Sequence, residues 1–165
     1  MGFVPKDGTN GIYHKIYVDY AIEIDFEKQS INYGGGITAD SKTTQNFSDA
    51  ENFVVLECVD RLLTKGYKPQ NLILEKTWPS GHGTSGRLDI CVNREDGTPY
   101  MLIECKTYGK EYNKELARIR KDGGQLFTYF QLSGGKADVL MLYASELKGN
   151  KSVSYTHLRA HETEL

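Results

Sequence analysis

The chain has 165 residues, enough for one domain with a core of its own. Apolar residues make up 39% and charged residues 25%, ordinary values for a soluble globular protein. A net charge of −2 argues against a simple DNA-coating protein without excluding an enzyme that meets DNA at an acidic site. The three cysteines, Cys58, Cys91 and Cys105, are odd in number and each lies in an apolar run. They read as buried thiols of a cytoplasmic protein, not as a disulfide framework or a zinc site. No segment approaches the ~18–20 apolar residues that cross a membrane, and the first eleven residues lack the apolar centre of a signal peptide.

In chain order, residues 17–31 alternate. Tyr20, Ile22, Ile24 and Phe26 fall on one side and Asp19, Glu23, Asp25 and Glu27 on the other, the period of a half-exposed strand. Residues 32–46, with Gly34-Gly35-Gly36, read as a loop. Ser48 then stands as an N-cap with Glu51 at the capping-box position, opening a helix that runs to about Lys65 and stops at Gly66. Its apolar residues, Val55, Leu56, Val59 and Leu62 among them, share one broad face, with Glu57, Asp60 and Arg61 opposite. Strands are expected over 72–78, 87–92 and 100–106, with a Gly/Ser/His loop at 79–86 and an Asp96-Gly97 hairpin turn. A charged amphipathic helix at 111–121 is broken by Gly123-Gly124. A second helix follows at 125–132 and a final apolar strand at 137–143. No internal repeat is present. The order gives an α/β fold with a central mixed sheet flanked by helices.

Residues 154–163 resemble a peptide produced when sequencing-adapter DNA is translated. Residues 153–165 are therefore expected to lie outside the fold, the natural chain continuing beyond residue 152. The helical spacing of His157 and His161 is read as incidental.

The hairpin concentrates the chemistry. With Asp96-Gly97 as a two-residue turn, paired positions sum to 193, and any longer loop on the same centre gives the same sum. Asp89 then faces Glu104 across the strands, Cβ atoms roughly 4.5–5.5 Å apart, and Lys106 points from the same face as Glu104. Both strands are apolar enough to be covered on two faces, where opposed carboxylates are costly without compensation. Two readings stand: a structural ion-pair triad closed by Lys106, or two hard-oxygen ligands for Mg²⁺ or Mn²⁺ with a lysine beside them. Glu51 falls inside the apolar sector of its helix, so it is either the capping residue or a third acid aimed at the sheet. Gln125 and Tyr129 share a face at i, i+4. Lys110, Lys114, Arg118 and Lys121 form a stripe that is either a solvated face or a phosphate contact. His82 is a lone loop histidine.

Gly86-Arg87-Leu88-Asp89-Ile90, Ile103-Glu104-Cys105-Lys106 and Gln125-Leu126-Phe127-Thr128-Tyr129 together resemble the PD-(D/E)xK nuclease superfamily. More narrowly they look like the N-terminal nuclease domain of type I restriction enzyme R subunits and related restriction–modification proteins. The resemblance covers roughly residues 49–145. It departs from the pattern in having Leu88 where the motif name has proline, and a longer insertion before Gln125. No general feature of the superfamily matches residues 12–31.

The resemblance implies an αβββαβ restriction-endonuclease-like core at 48–152, preceded by a β extension and loop at 1–47. It implies Mg²⁺, with Mn²⁺ substituting, held by Asp89, Glu104 and the Cys105 carbonyl, with Glu51 completing the shell through water. Lys106 would position the attacking water or stabilise the transition state. Gln125 and Tyr129 would orient Lys106 or contact the DNA backbone. The products would carry a 5′-phosphate and a 3′-hydroxyl. Double-stranded DNA is the implied substrate, delivered by helicase/translocase, methyltransferase or specificity modules. The alternatives are a RecB-like repair or recombination nuclease, which shares the Q-x-x-x-Y element, and a catalytically silent nucleic-acid-binding scaffold.

Overall fold

A computed structural model describes residues 1–78, 86–149 and 151–160, the last three by their backbone. The loop expected at 79–86, including His82, lies outside the described residues up to 85, as does His161.

The N-terminal extension forms a four-stranded antiparallel sheet in chain order: β1 (Val4–Pro5), β2 (Ile12–Tyr17), β3 (Tyr20–Asp25) and β4 (Ser30–Asn32). The single strand expected over 17–31 is thus two tight reversals. The first turns at Val18-Asp19 with neither glycine nor proline to mark it, and the second places Phe26 in a turn where it is 54% exposed. Ile22 and Ile24 do point inward, as the alternation requires.

The second sheet has six strands in the order β10-β9-β8-β7-β6-β5. These are β5 (Thr38–Ala39), β6 (Leu72–Thr77), β7 (Arg87–Asn93), β8 (Pro99–Thr107), β9 (Val139–Lys148) and β10 (Lys151–Ala160). β5–β6 and β8–β9 are parallel and the other pairs antiparallel, so the sheet is mixed. Helix α1 (Glu51–Thr64) packs on one face with Met101, Ile103 and Cys105 beneath it. Helices α2 (Lys110–Asp122) and α3 (Gly124–Leu132) form the crossover from β8 to β9 and cover Leu88, Cys91, Leu102 and Leu142 on the other face. The expected αβββαβ order is present. Among the described residues no helix is long and apolar enough to cross a membrane.

Three expectations need correction. Ser48 does not cap α1: its hydroxyl donates to Asn46, and the Asp49 carboxylate takes the Glu51 N–H at 2.9 Å. Glu57 and Asp60 are not solvated, being only 4% and 6% exposed, because strands outside the helix wrap around it. Tyr143 and Ser152 reach Glu57, and Lys15 and Tyr17 reach Asp60. A local helical projection cannot show these covers. Residues 151–160, expected to lie outside the fold from 153 on, form β10 and pair with β9 along its full length. β9 would otherwise present an open row of backbone donors and acceptors. Gly149, at φ 61°, turns the chain back onto it.

Candidate functional site

The β7–β8 hairpin reaches its predicted register by an unpredicted route. The turn is longer than Asp96-Gly97: Arg94 N–H donates to the Thr98 carbonyl at 2.8 Å, a rung summing to 192. A bulge between Val92 and Asn93 then shifts the ladder by one, and Val92–Met101, Cys91–Leu102 and Ile90–Ile103 all sum to 193. The ladder ends there, so Asp89 and Glu104, the pair that would continue the sum, are not joined as a rung. Asp89 leaves the ladder and its Oδ2 accepts the Cys105 N–H at 2.7 Å. A carboxylate thus replaces a strand carbonyl at the point where the hairpin opens.

Lys106 lies between two acids. Its Nζ is 2.8 Å from Glu104 Oε1 and 3.1 Å from Glu51 Oε1, and it donates to the Cys105 carbonyl at 2.9 Å. This decides the role of Glu51, whose side chain is spent on Lys106 rather than on capping its helix. Glu104 is 2% exposed, and its Oε2 has no hydrogen-bond partner among the described residues. Native structures rarely leave a buried carboxylate oxygen in that state.

The electrostatics follow from this burial. Burial, then the Asp89 charge, pushes the Glu104 carboxyl well above the usual carboxylate range. Burial also pushes Asp89 up to about 6, against the pull of Lys106 and the Cys105 N–H. Glu51 is raised by burial too, with Lys106 opposing. Burial works against the Lys106 ammonium, but Glu104, Asp89 and Glu51 outweigh it and hold its proton above the usual lysine range. These neighbours favour the ammonium form of Lys106.

Gln125 and Tyr129 sit beside the acids but form no hydrogen bond to Lys106 among the described residues. Tyr129 is 3% exposed and its hydroxyl donates to the Arg87 carbonyl at 2.8 Å, with Gln125 Nε2 at 3.4 Å from that hydroxyl. Trp78 stacks on the Tyr129 ring, centroids 6.1 Å apart. A Cβ on Gly86 would lie 2.6 Å from Tyr129 Cε1, which explains the glycine before Arg87. On α2, Lys110, Lys114, Arg118 and Lys121 are all exposed. Lys114 lies 3.7 Å from Glu111 and Arg118 lies 3.3 Å from Glu115. Glu115 itself is buried and takes the Gln125 N–H at 3.1 Å, so it caps α3.

Among the described residues no group of three or more His, Cys, Asp and Glu side chains is arranged to hold a metal ion. The donor set on the page is two carboxylates and a backbone carbonyl. Mg²⁺ fits such a set, since it commonly takes one or two protein carboxylates and keeps several waters. The unpartnered Glu104 oxygen is the observation that favours the fit.

Sequence reasoning missed Glu75. It is 1% exposed in β6, lies close enough for its charge to raise Asp89, and adopts a positive φ of 52°. Nothing in the local pattern Leu74-Glu75-Lys76 distinguishes it from an outward-facing strand acid.

A model of the family described as type I restriction enzyme R protein N terminus matches residues 51–134, just over half of the chain. The match runs from Glu51 through Asp89, Glu104 and Lys106 to Tyr129. No curated protein gives a significant match.

Proposed function

Because the chain belongs to the family of type I restriction enzyme R protein N-termini, we propose that it is the metal-dependent endonuclease domain of a restriction system, hydrolysing phosphodiester bonds of double-stranded DNA. The family places the chain in restriction systems. The chemistry is carried by one observation: a buried carboxylate oxygen on Glu104 without a partner among the described residues, next to Asp89 and with Lys106 2.8 Å from the other oxygen.

Asp89, Glu104 and the Cys105 carbonyl would hold Mg²⁺, or Mn²⁺ in its place. When bound, such an ion lowers the pKa of a water and polarises a phosphate oxygen. The chain's own residues supply the rest. The Cys105 N–H fixes one oxygen of Asp89. Lys106, oriented by Glu51 and Glu104, offers a fixed positive charge to the charge that builds on the scissile phosphate. In-line attack leaves a 5′-phosphate and a 3′-hydroxyl. The α2 stripe of Lys110, Lys114, Arg118 and Lys121 supplies backbone contact. Helicase/translocase, methyltransferase or specificity modules deliver the target in the cytoplasm.

The test is cleavage of supercoiled DNA with Mg²⁺ by the wild type, Asp89→Ala and Lys106→Ala. Wild-type cutting that both variants lose supports the reading. Variants that cut as fast as the parent sink it. Linear substrate of the same sequence reports whether free ends are required.

A further inference from the structure

Glu75 has two features that the middle of a strand does not call for. Glu75 and Gln29 are the non-glycine residues with positive φ among those described. Gln29 sits in the turn between β3 and β4, where such a conformation is common. In a strand it is strained and persists only when its surroundings impose it. The second feature is a buried carboxylate filled with donors. Thr43 N–H donates at 2.8 Å, Thr44 N–H at 3.3 Å, the Thr43 hydroxyl also donates, and Arg87 Nε lies 3.3 Å away. Four donors match the acceptor capacity of a carboxylate, so Glu75 is not itself available as a metal ligand.

The kink changes the ladder opposite Asp89. β6 and β7 pair at Leu74–Ile90 and again at Lys76–Leu88, skipping Glu75 and Asp89 between them. The β7–β8 ladder ends at Ile90–Ile103. Neither ladder pairs Asp89, so its placement depends on its neighbours. Arg87, two residues earlier on the same face of β7, is gripped from both sides. Glu75 takes its guanidinium, and Tyr129 donates to its carbonyl at 2.8 Å.

We propose that Glu75 is a positioning residue for Asp89: it holds the β6 kink that frees Asp89 from the ladder and, with Tyr129 as the second arm, clamps Arg87 so that Asp89 points into the site. This rests on the reading of Asp89 as a metal ligand given above. It also gives Tyr129 and Gln125 a task other than touching Lys106 or DNA.

The experiment is calorimetric titration of the full chain with Mn²⁺, alongside metal-free melting, for the wild type, Asp89→Asn, Glu75→Gly, Glu75→Gln and Tyr129→Phe. Glycine keeps the backbone conformation and removes the grip. Glu75→Gly should weaken Mn²⁺ binding about 10- to 100-fold, the range for residues that orient ligands. Glu75→Gln and Tyr129→Phe should weaken it less. A merely structural role lowers the melting temperature and leaves the affinity unmoved. If Asp89→Asn abolishes binding while every folded Glu75 variant and Tyr129→Phe bind like the wild type, the positioning role is wrong and the site stands. If the wild type binds no Mn²⁺, or Asp89→Asn binds equally well, the site reading fails and this inference goes with it. Should Glu75→Gly not fold, Glu75→Gln and Tyr129→Phe decide.

Discussion

Two regions of this molecule bury carboxylates, and they treat them differently. On α1, Glu57 and Asp60 are matched by donors: Arg61 of the same helix with Tyr143 and Ser152 of the second sheet for one, Lys15 and Tyr17 of the N-terminal sheet for the other. At the open end of the β7–β8 hairpin, Glu104 keeps an oxygen with no partner among the described residues, and burial pushes Asp89 toward its protonated form. Burial alone does not separate the two, since Glu57 and Glu104 are equally hidden. Satisfaction does. A matched acid is part of the scaffold, and the unmatched one is what the proposed metal site would use.

The sharpest way to break this contrast is on activity. Lys106→Ala should lower DNA cleavage by about 10²- to 10³-fold, the cost of losing a transition-state stabiliser, measured under single-turnover conditions. Its fold should survive, since Lys106 neutralises a site and does not build one. Glu57→Ala should do the reverse. It strands the Tyr143 hydroxyl and should cost about 1–3 kcal/mol in urea denaturation, with cleavage per folded molecule unchanged.

A pH titration sharpens the contrast further. Asp89 and Glu104 have folded pKa values above their unfolded ones, so the folded state holds protons that the unfolded state has released. The Asp89 contribution is fully present below about pH 4 and is lost as the pH rises through about 6, while that of Glu104 is lost as the pH rises through its own raised pKa. Metal-free protein should therefore melt at a lower temperature at about pH 7 than at about pH 5, and Glu104→Gln should flatten that fall. Smallest is the effect of α2: neutralising one of Lys110, Lys114, Arg118 or Lys121 should reduce the salt slope of DNA binding by about one, without altering sequence preference.

How much of this was legible depended on range in sequence. The αβββαβ order and the hairpin could be read because their signals are local, and the register survived a wrong turn because the Val92/Asn93 bulge offset it. Asp89, Glu104 and Lys106 lie within that hairpin and could be placed together. Glu51 reaches them from 55 residues away, and its choice between the helix cap and the sheet was open until the fold brought it within 3.1 Å of Lys106. Glu75 was invisible because its burial is made by Thr43 and Thr44 from a distant loop. The burial of Glu57 and Asp60 was hidden likewise, since their covers come from β2, β9 and β10. The β10 pairing was missed because residues 153–165 were set aside for their resemblance to translated adapter sequence, whereas backbone pairing to an open edge needs no motif.

The central claim is that the Asp89–Glu104 pair calls for positive charge beyond Lys106, which we propose a divalent cation supplies. It is tested most directly by thermal melting near neutral pH with and without Mg²⁺, for the wild type and Glu104→Gln. The account predicts that Mg²⁺ raises the melting temperature of the wild type, and that Glu104→Gln melts higher than the metal-free wild type and does not respond to Mg²⁺. A wild type indifferent to Mg²⁺, or a Glu104→Gln variant that gains as much from it as the parent, would contradict it.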